Sequence, residues 1–158
     1  MNGRRIVIPI LLLGAGSALA HDSDEHGVTP ETERERAREL RADGPQESRG
    51  IEGVDKLGSV SLAGEIPDDS DRVLRARELR IAPGGVVAVH RHQQRPGVAY
   101  ILEGSIVEHR NDAAEPITRG PGAVAFERSG VTHWWENRSD TAVRALVVDI
   151  VPASESER

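Results

Sequence analysis

The sequence predicts an all-β fold, a sandwich or a barrel. Three observations carry that prediction. From about residue 53 onward, short runs rich in Val, Ile, Leu and Thr alternate with clusters of Gly, Pro, Asp and Asn. The runs recur at a spacing of roughly ten residues, with no long helical pattern between them. All four aromatic residues, Tyr100, Phe126, Trp134 and Trp135, fall in the second half of the chain, which puts the core there.

The first twenty residues stand apart from this pattern. A basic start, MNGRR, precedes the apolar run IVIPILLLGAG and the small residues SALA. That is the layout of a secretory signal peptide, with cleavage expected near Ala20 and a periplasmic or secreted destination. The apolar run is shorter than the ~20 residues a spanning helix needs. The chain has no cysteine, so neither a lipid anchor at the cut nor a disulfide is expected. Core burial, helped by a metal, is left to supply the stability. Formal charge is −6, and it becomes −8 once Arg4 and Arg5 leave with the signal peptide. That balance argues against nucleic acid and anionic membrane as partners.

Residues 21–52 read as an acidic leader, a polar helix and a linker. HDSDEHGVTP is polar and aperiodic. In PETERERARELRAD, Thr29 is placed to cap a helix over residues 31–43, with Pro30 at its first position. Glu31–Arg34, Glu33–Arg36 and Glu35–Arg38 are spaced to pair along its surface. Only Ala37 and Leu40 are apolar, so this helix is expected to be solvated or weakly docked. GPQESRGIEG is rich in breakers and reads as the linker. A β-domain is then expected over 53–153, with 154–158 as a tail. Its strands are expected at Leu57–Leu62, Val73–Ile81, Val86–His92, Val98–Leu102, Ser105–His109, Ala123–Glu127, Thr132–Glu136 and Ala142–Val151.

Two histidines, His90 and His92, stand two apart after a valine run. Residues two apart on a strand face the same side, so both imidazoles would reach one metal ion. A pair of surface histidines is the alternative that this spacing leaves open.

The surroundings carry more information. Gly84 is followed by five residues and then His90 and His92. Four residues separate His92 from Gly97, and six more separate Gly97 from Gly104. Further on, Gly122 is followed by five residues, then Arg128-Ser129-Gly130, two residues, His133, three residues and Asn137. In this order, with 17 residues between Gly104 and Gly122, the chain resembles the cupin superfamily over roughly Leu57 to Pro152. The resemblance implies a small jelly-roll β-barrel holding one divalent ion, with His90, His92 and His133 on three of the four usual ligand positions. It also implies a homodimer. Gly104, Gly122 and Gly130 lie at strand ends, where tight turns favour positive φ. Two positions depart from the family pattern: Gly97 stands where the glutamate ligand is usual, and Arg128 where a proline is usual.

Three neutral imidazoles leave a divalent ion its full +2 charge, and that favours an anionic ligand. Imidazoles suit Fe, Zn, Cu or Ni, while hard Mn would miss its oxygen donor. Gln94 shares parity with His90 and His92 if the strand continues, which makes its amide a candidate metal or substrate contact. A loop position without that role is the alternative. Trp135 shares parity with His133 and, with Tyr100, Arg95 and Arg128, is a candidate pocket-lining residue; core filling for the aromatics and solvation for the arginines are the alternatives. The expected function is a metal-binding protein of the cell envelope, an oxygenase acting on a small anionic or enolisable compound. The other readings are a non-catalytic module that binds a metal or small ligand, and a barrel with a structural role only.

Overall fold

The computed structural model describes residues 27–67 and 71–155. The expected signal peptide, the first part of the acidic leader (residues 21–26) and the end of the tail lie outside the described residues. One helix, α1 (Glu31–Glu39), precedes eight strands: β1 (Arg49–Ser61), β2 (Arg72–Arg91), β3 (Gly97–Glu103), β4 (Ile106–Arg110), β5 (Ile117–Arg119), β6 (Val124–Glu127), β7 (Thr132–Glu136) and β8 (Val143–Pro152). All pairings are antiparallel, and the strand order is β5-β4-β7-β2-β8-β3-β6, with β1 on the free side of β2.

The architecture is a nearly closed β-barrel, and β2 makes it so. Its first half, Arg72 to Ile81, pairs with β8. Its second half, from Val86, pairs with β7. One strand therefore belongs to two walls: β1, β8, β3 and β6 lie on one side of the bend, and β7, β4 and β5 on the other. The sequence pattern divides this strand in two at Ala82-Pro83-Gly84-Gly85. The structure keeps it continuous and uses the glycines to turn it, with Gly84 at φ 72°.

Strict alternation fixes which side chains point inward. On β8, Val143, Ala145, Val147, Asp149 and Val151 are buried while their neighbours are half-exposed. On β2, Val73, Arg75, Arg77, Leu79 and Ile81 alternate likewise. Toward one end the interior is apolar, built on Ile81, Ile101, Ile106, Val143, Ala145 and Trp135. Each fully buried isoleucine contributes roughly 1.5–3 kcal/mol. Toward the other end the inward row becomes charged, and there the site is built.

Several elements differ from the sequence reading. β1 starts at Arg49, inside the expected linker, because its backbone pairs along the edge of β2. β5 is a three-residue strand too short to show a period. Helix α1 ends at Glu39 rather than residue 43. Arg41 takes a left-handed φ of 51°, and the Ala42 N–H returns to the Ala37 carbonyl (3.0 Å), a closure that satisfies the last turn. Pro30 is the N-cap and Thr29 makes no capping bond. The helix is also neither solvated nor weakly docked. Glu33, Arg34 and Ala37 are buried against the barrel, and Glu33 pairs with Arg95 instead of Arg36. The expected Glu31–Arg34 pair forms, and Arg38 bonds Glu31 rather than Glu35. Gly104, Gly122 and Gly130 all take positive φ. At Gly104 a Cβ would also come within 2.6 Å of the Ala142 carbonyl oxygen.

Candidate metal centre

His90 lies near the end of β2 and His92 directly after it, while His133 lies on β7 as the cross-strand partner of His90. Parity on β2 and register with β7 bring the three rings together. All three are buried. The ring centroids are 4.5–5.0 Å apart. The Nε2 of His133 is 3.0 Å from the Nε2 of both His90 and His92.

The other nitrogen of each ring fixes what those Nε2 atoms are. His90 Nδ1 donates to the Ala88 carbonyl (2.9 Å) and His92 Nδ1 to the Arg95 carbonyl (3.2 Å). His133 Nδ1 donates to Glu108 (2.7 Å). Each acceptor holds the ring proton on Nδ1, so each Nε2 presents a lone pair. Three lone pairs facing one another at this distance repel unless a cation lies among them. Burial and the neighbouring imidazoles hold His90 well below the ordinary histidine range, and burial together with Arg95 pushes His92 down to about 2, so these two rings stay neutral. The donor set fits a divalent cation, and donors held at ~2.1 Å and at right angles around one ion are spaced ~3.0 Å apart.

Glu108, on β4 and buried, is the anchor behind His133. Burial alone would raise its pKa, but the bonds from His133 and Arg119 outweigh it and hold the carboxyl at about 2. Arg110 (3.0 Å) and Arg119 (2.5 Å) complete its shell. An ionised acid behind a ligating imidazole fixes its tautomer and raises its basicity. Glu108→Gln is therefore expected to weaken metal affinity ~10–100-fold, measured by competition with a chromophoric chelator. Parental affinity in the variant would refute the anchoring role.

A small cavity of about 30 Å³ adjoins the trio, lined by Thr29, Arg77, His90, Arg95, Glu127, His133 and Trp135 among others. Three residues on its walls carry a buried donor with no hydrogen-bond partner among the described residues: Thr29 Oγ1, Arg77 Nε and Trp135 Nε1. Arg77 has its pKa lowered to about 10 by burial, with Asp149 opposing the shift. Glu127, at the end of β6, is buried as well, and burial raises its pKa. Its two oxygens lie 3.7 Å from His92 Nε2 and 3.9 Å from His133 Nε2.

The residues singled out from the sequence fall in different places. Trp135 and Arg95 line the cavity. Trp135 meets the His133 ring edge-on, with centroids 6.1 Å apart. Arg95 is buried rather than solvated: it donates to Glu33 (2.6 Å) and Asp149 (3.0 Å) and approaches His92 Nε2 at 3.5 Å. Gln94 is exposed, with φ 52°. It lines a surface groove that runs past His92, where its backbone N–H bonds Ser129 and its carbonyl accepts from Arg72. Tyr100 is exposed, and Arg128 is exposed and pairs with Asp112 at 3.4 Å.

Glu33, Arg77, Glu108, Glu127 and Asp149 are the site residues the sequence reading missed. A charge on the inward parity of a strand was the available signal for Arg77, Glu108 and Asp149. Glu127 gave none, because its place depends on the pairing of β3 with β6.

Residues 77–149 match a family model described as a Cupin domain. Over 73 residues the chain is 36% identical to an oxalate-binding protein of Thermotoga maritima, a match covering 46% of this chain and 59% of that protein's length. Among solved structures, a cupin-2 domain from Rhodospirillum rubrum aligns with a TM-score of 0.50 at 18% identity, covering 65% of this chain and 60% of that one. A predicted oxalate decarboxylase from Thermotoga maritima aligns with a TM-score of 0.45 at 22% identity, covering 66% and 97%.

Proposed function

We propose that the chain, whose residues 77–149 match the Cupin domain model, is a cupin that binds a small carboxylate anion at a divalent metal held by His90, His92 and His133. The observation that carries this reading is the clustering of unpartnered donors. Among the described residues Thr29 Oγ1, Arg77 Nε and Trp135 Nε1 are buried without partners, and all three residues line the cavity that His90 and His133 border. A buried donor without an acceptor costs roughly 1–3 kcal/mol, so three around one space favour a ligand rich in acceptor oxygens. The cavity, at about 30 Å³, limits the ligand to a small one. The name of the Thermotoga relative supports the same class of ligand.

The chain's own residues have clear parts in this reading. Arg77 supplies charge and one free N–H, and Trp135 and Thr29 add directional donors. Val28 and Thr29 line the cavity just ahead of α1, which is tied to the site by the ion pair of Glu33 with Arg95. A bound Fe, Zn, Cu or Ni ion would act as a Lewis acid toward an oxygen ligand. The catalytic version of the reading is an oxygenase acting on a small anionic or enolisable compound; the other version is capture without turnover. The basic, apolar and small-residue start supports an envelope or secreted location.

Calorimetric titration of oxalate into apo and metal-loaded protein tests the reading. Binding is expected only to the loaded form. Equal binding to both forms, or none to either, would sink it. Oxygen uptake by the Fe(II)-loaded protein with oxalate, hydroxy-acids and keto-acids separates the two versions.

A further inference from the structure

We propose that Glu127 is the fourth ligand of this metal centre, and that it takes the place of the carboxylate that is missing at Gly97. The inference rests on the three-histidine reading and adds the donor that reading lacks.

The register supplies the first argument. Gly97 on β3 is the direct cross-strand partner of Glu127 on β6. Directly opposed residues of an antiparallel pair project to the same face, ~4.5–5.5 Å apart at Cβ. Glu127 therefore enters the barrel on the face where a side chain at 97 would enter, displaced by one strand. The backbone supplies the second argument. A Cβ at 97 would lie 2.7 Å from the Val148 carbonyl oxygen and 3.1 Å from Asp149 Cβ. The usual position cannot hold a glutamate without moving the neighbouring strand, whereas its register partner holds one already.

The surroundings of the acid supply the third argument. Glu127 is 7% exposed. Among the described residues, the nitrogens that its oxygens approach as ion-pair partners within 4.0 Å belong to His92 and His133. Both are lone-pair Nε2 atoms, because Glu108 and the Arg95 carbonyl hold the ring protons on the other side. An acid aimed at two lone pairs has no donor to bond. A cation between them satisfies the acid and both rings at once. Two donors held by one ion at ~2.1 Å are ~3.0 Å apart at a right angle and ~4.2 Å apart when opposite. The observed 3.0, 3.7 and 3.9 Å separations all fall in that range.

The charge follows. With Glu127 bound, the centre carries +1 rather than +2, and the cavity loses the anion that would otherwise repel an incoming carboxylate. The oxygen donor also makes the site acceptable to Mn(II), which three imidazoles alone suit poorly.

The test uses the purified chain, stripped with chelator, as parent and as Glu127→Gln. Zn(II), Co(II) and Mn(II) are titrated against a competing indicator, and Co(II) absorption and Mn(II) electron paramagnetic resonance report the ligand set. The expected result is at least a ~100-fold loss of Zn(II) and Co(II) affinity, a changed Co(II) spectrum, and loss of Mn(II) binding. Parental affinities with an unchanged Co(II) spectrum would overturn the assignment of Glu127 and leave the histidines standing. A parent that binds none of these ions would instead overturn the three-histidine reading. Should the glutamine variant not fold, crystals of the Zn(II)-loaded parent decide the matter. A Glu127 oxygen ~2.0–2.2 Å from the ion supports the proposal, and one beyond ~3 Å refutes it.

Discussion

His92→Ala is expected to abolish stoichiometric metal binding while leaving the barrel folded. The side chain is completely buried, and its Nε2 is one of three that converge. Loss of a residue that only supports a ligand costs ~10–100-fold in affinity, and loss of the ligand itself costs more. A fall of about a thousandfold corresponds to ~4 kcal/mol. The fold has reason to survive, because the ring gives up one hydrogen bond, to the Arg95 carbonyl, while its Nε2 faces the Nε2 of His133. The apolar core around Ile81, Ile101 and Ile106 lies elsewhere. Metal content of the purified protein and thermal melts with and without added Zn(II) check both statements. The parent should gain thermal stability on loading and the variant should not. Full metal occupancy in the variant would remove the histidine centre from consideration.

Asp149→Asn is expected to produce the largest loss of stability, about 3–5 kcal/mol at neutral pH. The carboxylate is fully buried and accepts from three guanidiniums. Arg75 reaches it at 3.0 and 2.8 Å, Arg95 at 3.0 Å and Arg77 at 3.2 Å. An amide in its place leaves three buried cations facing one another, with Glu33 as the remaining acid on Arg95. The effect has a defined pH window. Burial pushes the Asp149 pKa up, but the Arg75 bonds and the surrounding guanidiniums outweigh it, so the folded value lies below the ordinary one. A depressed folded pKa means that the stabilisation is complete above about pH 4 and fades as pH falls through the folded value. The difference in urea midpoint between parent and variant should therefore be large at pH 7 and shrink toward pH 3. Equal midpoints at pH 7 would show that the arginines are satisfied without this acid.

The parts of this molecule that were legible in the sequence are local ones. His90 and His92 share a face because strands alternate. His133 was reached only through the resemblance of the segment from Gly122 to Asn137 to the second cupin motif. β8 could be read from its period of two, and Asp149, a charge on that inward row, was the available sign of a buried ion pair. What was illegible depends on partners far apart in the chain. Glu108 becomes an anchor because β4 pairs with β7, and Glu127 faces the trio because β3 pairs with β6. Helix α1 misled for a related reason. Counting its apolar residues predicted weak docking, and Leu40, one of the two, is indeed exposed. The docking runs through an ion pair from Glu33 to Arg95, which no count of hydrophobic positions detects. Pro83 and the two glycines after it read as a break between strands, while the backbone uses them to carry one strand around a corner.

Glycine at position 97 has a consequence for the history open to this barrel. With the Val148 carbonyl oxygen so close, no single substitution there can restore the ordinary ligand arrangement, because any side chain would first have to push an adjacent strand aside. The departure works as a ratchet: once the neighbouring strand has settled against the bare backbone, a return path needs coordinated changes on β8, and selection can refine the site only from its present starting point.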